Sequence, residues 1–236
     1  MNIKSIKMGS MLYLTAVFGM LYMLVSGAAV AGTITGSKHD LAKYTGAGAE
    51  ICVVCHTPHN SDSSVTDAPL WNHTLSVTAQ ADYIVYASGT LDGDTTGGPT
   101  GISKLCLSCH DGSVAVDSFG GATGTDAAKI GATAETTYAL IGTDLSNDHP
   151  ISFNYGTAAS TDGALHPVTT SVVIGDTTAD SKTTTIDGLL FNGQLECASC
   201  HDVHNKFTVA STRLATNKLL RVTMDKSALC LTCHNK

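Results

Sequence analysis

The longest apolar run of the chain, Met11 to Val25, follows a basic start at Lys4 and Lys7 and precedes the small residues Ala29, Val30 and Ala31. A positive start, an apolar stretch and a small-residue site are the order of a secretory signal, whereas a membrane-retained helix needs about 20 apolar residues and a charged flank. Residues 1–31 are therefore expected to be a signal peptide that is removed, leaving 32–236 with Gly32 first and no stable membrane span; the alternative is an uncleaved anchor. Beyond this run no long amphipathic period appears, so no long helix is predicted. Between His110 and Cys197 the chain carries 15 Thr and 11 Gly, which favour loops and short strands. Leu189-Leu190-Phe191-Asn192-Gly193-Gln194-Leu195 places an Asn-Gly turn between apolar residues and predicts a hairpin, with Leu219 to Val222 as its expected partner. Short helices are expected around the cysteine-containing segments, above all Ser227 to His234. The expected class is an irregular fold, mostly coil, with short helices and a few short β-strands.

Composition adds a difficulty to that picture. One Trp, five Phe and seven Tyr in 236 residues give little large apolar volume, so something other than side chains must fill much of the interior. Net charge is −7 and becomes −9 once Lys4 and Lys7 leave with the signal, which excludes nucleic acid as a natural partner.

The cysteines supply the missing volume. All eight fall in four copies of C-x-x-C-H: Cys52, Cys55 and His56; Cys106, Cys109 and His110; Cys197, Cys200 and His201; Cys230, Cys233 and His234. This is the attachment signature of c-type haem, in which two thiols bond the porphyrin vinyl groups and the adjacent His lies under the iron. Four disulfides, zinc sites or redox thiol pairs are the competing readings for an exported chain, and they leave four histidines unexplained. Four haem c groups, with their irons, are thus the expected cofactors, and a chain of haems is the expected core.

Each iron needs a second axial ligand, and its identity decides between electron transfer and substrate binding. Five of the six Met lie in the leader, so Met224 could serve one haem at most. Six histidines lie outside the motifs. His59 and His204 stand three residues beyond His56 and His201, on a shared helical face if the turn continues, and each should serve a haem other than its neighbour's. His39 and His149, in short polar turns, are the next candidates for the two remaining positions. His73, beside Trp71, and His166, before Pro167, are read as a packing and a loop residue.

The motifs also fall into two similar pairs, spanning 52–110 and 197–234, which suggests an internal duplication with diverged loops. Together with Gly32-Thr33-Ile34, Ser37-Lys38-His39-Asp40-Leu41, Pro69-Leu70-Trp71-Asn72, Lys104 to Gly112 and Asp144 to Ser152, they give a chain that resembles the small multihaem cytochromes of metal-respiring bacteria. The resemblance is to the extracellular tetrahaem OmcE type, which polymerises into nanowires. It implies bis-His ligation with His39, His59, His149 and His204 as distal ligands, and assembly in which one subunit donates a His, here His59, to a haem of its neighbour. The expected function is electron transport by a secreted, extracellular or cell-surface filament, with redox proteins as donors and external acceptors. A monomeric periplasmic carrier is the alternative, and a reductase of a small oxyanion, which needs an open iron position, is a third; no enzyme activity is expected.

Overall fold

The computed structural model describes residues 34–46, 48, 50–175, 181–204 and 219–235, most of them in turns, bends and irregular backbone. The expected signal 1–31 and Gly32 lie outside the described residues. In chain order the elements are α1 (Ala42–Thr45), β1 (Ile84–Val85), α2 (Gly101–His110), β2 (Asp144–Leu145), β3 (Phe153–Asn154), α3 (Tyr155–Thr161), β4 (Ser171–Ile174), β5 (Lys182–Thr185), β6 (Gln194–Leu195), α4 (Cys197–Cys200) and α5 (Ala228–Cys233). Among the described residues strands join only in twos: β1 with β2 in parallel, β3 with β6 and β4 with β5 antiparallel. No helix among the described residues is long and apolar enough to cross a membrane.

The Asn-Gly turn forms where the sequence predicts it. Asn192 and Gly193 both take positive φ, 51° and 76°, and Phe191 and Gln194 exchange backbone hydrogen bonds of 3.0 and 2.9 Å across them. The partner differs from the expectation. β6 pairs with β3, which sets Phe153 opposite Leu195 and buries both, while residues 219–221 serve the third cysteine motif. There Asp202 N–H donates to Leu219 O and Arg221 N–H to Cys200 O, so these peptide groups are already committed.

Side chains form an apolar cluster of their own. Phe153, Tyr155, Ala158, Val172, Ile174, Ile186, Leu189, Leu195 and Val222 form one buried cluster, drawn from β3, α3, β4, the segment between β5 and α4, and the segment before α5. Thr and Gly do not prevent α3, because the Asn154 side chain accepts from Thr157 N–H at 2.8 Å and caps its first turn. Tyr155 ties this cluster to the last cysteine motif: its hydroxyl donates to His166 O at 2.8 Å and lies 3.2 Å from Cys233 O. Tyr155→Phe is expected to cost about 1 kcal/mol, read as a lower urea midpoint at unchanged slope.

Candidate functional site

Each cysteine motif makes a helix-like turn that ends at its histidine: a hydrogen-bonded turn at 52–56, the last turn of the ten-residue α2, and the short helices α4 and α5. His56, His201 and His234 N–H donate to the carbonyl of the first Cys of their motif, at 2.9, 3.1 and 2.9 Å, and His110 closes α2. The backbone then turns extended, with His201 at φ −108°, ψ 142° and His234 at φ −94°, ψ 132°. His56, His201 and His234 make single bridges to Trp71, Leu220 and Leu165. The helix does not continue, so His59 and His204 do not share a helical face with His56 and His201. Pairing with a second segment replaces the i,i+3 geometry that the spacing suggests.

Three of the four predicted distal histidines each face an attachment histidine from a different part of the chain. Ring centres are 6.0 Å apart for His39 and His110, 6.0 Å for His56 and His204, and 6.3 Å for His149 and His234. A metal-bound imidazole nitrogen lies about 2 Å from its metal, which puts the centres of two rings on opposite sides of one iron about 6 Å apart. Ring planes meet at 42°, 11° and 71°, and axial ligation leaves rotation about that axis free. Aromatic contact alone also allows such distances. It does not account for every pair joining one motif histidine to one histidine from outside the motifs.

The surrounding hydrogen bonds leave ring nitrogens suited to metal binding. His56 Nδ1 lies 2.6 Å from Pro69 O, His110 Nδ1 2.8 Å from Ala139 O and His149 Nδ1 2.9 Å from Pro150 O. Donation from Nδ1–H to a carbonyl fixes the tautomer that keeps a lone pair on Nε2. Burial and the neighbouring His110, His201 and His204 lower the His39 pKa to about 4, and burial also lowers that of His110. Both are therefore neutral near pH 7, the form in which an imidazole can bind a metal.

The thiols lie close together in motif order. Cys55 adds to the upward shift of the Cys109 thiol, Cys197 to that of Cys106 and Cys233 to that of Cys200. The outermost sulfurs, on Cys52 and Cys230, are exposed, and the other six cysteines are partly buried. Burial raises Cys55 and Cys200 to about 11 and Cys109 to about 12, the reverse of what a reactive redox thiol requires. Among the described residues all eight cysteines are free, and no three His, Cys, Asp or Glu side chains converge on a metal-ion site. The donor set fits a porphyrin held at its edges by thiols and at its iron by paired rings.

A buried carboxylate joins the second and third motifs. Glu196 Oε2 accepts from Ser103 N–H at 3.2 Å, from the Ser103 hydroxyl, and from Ser152 Oγ at 3.0 Å. Ser103 Oγ in turn accepts from Cys197 N–H at 3.0 Å, while Glu196 N–H donates to Ser199 Oγ. Glu196 thereby satisfies an open amide at the start of α2, the helix that ends in the second motif. Sequence reasoning missed this role, although an acid immediately before Cys197 was its visible signal.

The other candidates separate cleanly. His59 is exposed, in a turn held by Thr57 Oγ donating to His59 O at 2.9 Å. His73 is buried, with its ring nitrogens 2.8 Å from Thr74 O and 3.0 Å from Ala115 O and its edge against Trp71. It also lies 3.5 Å from Cys109 Sγ, a contact the sequence did not suggest. His166 accepts the Tyr155 hydroxyl through its backbone, and Met224 is exposed. No protein-family model and no curated protein matches the chain, so its functional reading rests on these residues and their arrangement.

Proposed function

We propose that this chain is an exported tetrahaem c-type cytochrome that transfers electrons and turns over no substrate at its irons. The observation that carries the reading is the set of three ring pairs, His39 with His110, His56 with His204 and His149 with His234. The eight cysteines would bond the porphyrin edges, and the paired imidazoles would hold iron from both sides, leaving no position for a substrate. When bound, each haem supplies a one-electron iron couple. Close approach of sulfurs from successive motifs would keep neighbouring groups within reach of one another, and exposed Cys52 and Cys230 would put the ends of the row at the surface.

His59 supports the filament reading: it is a predicted ligand whose side chain is exposed, as a residue donated to a neighbouring copy must be before assembly. EPR of the fully loaded, assembled protein tests the proposal. Only low-spin ferric signals, equivalent to four haems, are expected. A high-spin signal of one haem or more per chain would overturn the closed-site argument and favour a reductase.

A further inference from the structure

The bis-His reading makes a further distinction possible, because the paired imidazoles differ in what supports them. His39 Nδ1 is buried without a hydrogen-bond partner, whereas its opposite ring, His110, has Ala139 O at 2.8 Å. The pair formed by His56 and His204 has a carbonyl hydrogen-bonded to one ring and a carboxylate beside the other, the latter beyond hydrogen-bond length but close enough for its charge to act. His56 Nδ1 has Pro69 O at 2.6 Å, and His204 Nδ1 lies 3.8 Å from Asp202 Oδ1, a carboxylate that is itself largely buried and held by His204 N–H at 3.1 Å.

A hydrogen-bond acceptor on the far nitrogen of a ligating imidazole, or a negative charge close to it, stabilises ferric over ferrous iron. We propose that His39 and Asp202 set a potential difference between adjacent irons, so that the iron between His39 and His110 takes an electron before the iron between His56 and His204. The event is one electron converting Fe(III) to Fe(II), with no bond broken and, in the measurement, dithionite as the reductant. Burial of the His39 ring side acts in the same direction, since a less hydrated site disfavours the higher charge. Asp202 is a positioning residue here, acting only through His204. Because Asn72 N–H donates to Cys55 O at 2.9 Å and the adjacent His73 lies 3.5 Å from Cys109 Sγ, the first two motifs meet at one segment, and the difference would give direction to a transfer between neighbours.

The test is a dithionite titration of the fully loaded wild-type protein, followed signal by signal by EPR. His39→Met and His204→Met identify the two low-spin signals, since each removes one. The His39 signal is expected to have the more positive midpoint by about tenfold in the one-electron reduction constant, or about 59 mV. Asp202→Asn keeps the ligand and is expected to move the His204 signal several-fold toward easier reduction while leaving the His39 signal in place. Equal midpoints, a reversed order or an unmoved His204 signal in Asp202→Asn would overturn the inference. If His39→Met and His204→Met instead leave all wild-type signals intact, these histidines are not ligands, and the bis-His reading itself fails.

Discussion

His59→Ala is expected to abolish filament assembly while the chain keeps four attached haems. None of the eight thiols and none of the three ring pairs involves His59, so attachment and folding of the single chain should survive its loss. The exposed ring would lose one role, a bond to iron across a subunit contact. A central contact residue of this kind is worth about 4 kcal/mol or more, which corresponds to roughly a thousandfold weaker association. Negative-stain microscopy and sedimentation of the secreted protein read the assembly, and the alkaline pyridine haemochrome reads the four haems. EPR should gain a high-spin signal of one haem per chain. Added imidazole should convert that signal to low-spin without restoring filaments, because a free ligand closes the iron but links nothing. Filaments of normal length in the variant would remove His59 from the interface and leave the monomeric carrier as the better reading.

The turns at the four cysteine motifs, and the candidates that stand opposite motif histidines, could be read from the sequence because they are local or countable. C-x-x-C-H needs one helical turn, and that turn forms at each motif whatever surrounds it. The shortage of Met pointed to His, spacing and the family resemblance chose among the candidates, and His39, His149 and His204 each face a motif histidine. Which ring faces which was not legible, because it depends on how extended segments such as 219–221 return to the motifs. The hairpin illustrates the same limit. Asn192 and Gly193 specify their own turn, yet nothing in seven residues selects Phe153 over Leu219 as a neighbour; burial of Phe153 against Leu195 does. The apolar cluster around Tyr155 was hidden too, because its members are scattered from residue 153 to residue 222 and show no common period. The lock between Ser103 and Glu196 joins positions 93 residues apart, and only the fold reveals it.

Glu196 is where the largest stability effect is expected, and two substitutions at that position should separate its charge from its oxygen. The carboxylate receives Ser103 N–H, the Ser103 hydroxyl and the Ser152 hydroxyl on one oxygen, in a site only 2% exposed. Glu196→Ala leaves these donors without an acceptor, each costing about 1–3 kcal/mol and not additively, so a loss of roughly 3–5 kcal/mol is expected. For a chain of this size that lowers the melting temperature by roughly 10 °C. Glu196→Gln retains an acceptor oxygen for the three donors and should cost far less. Charge then enters through pH. Burial raises the Glu196 pKa above its ordinary 4.5, and the bonds from Ser103 and Ser152 only partly oppose that shift. A carboxyl whose folded pKa exceeds its unfolded one stabilises the fold fully below the unfolded value, and that contribution is lost as pH climbs through the folded value. Wild-type stability should therefore fall as pH rises from 4.5 through that window, and the Glu196→Gln variant should be flatter over the same range. Thermal unfolding of the loaded protein in steps from pH 4 to 8 measures both effects. Equal losses in the Ala and Gln variants would mean that the site needs the charge rather than the acceptor. An unchanged pH slope in the Gln variant would show that Glu196 is not the titrating group.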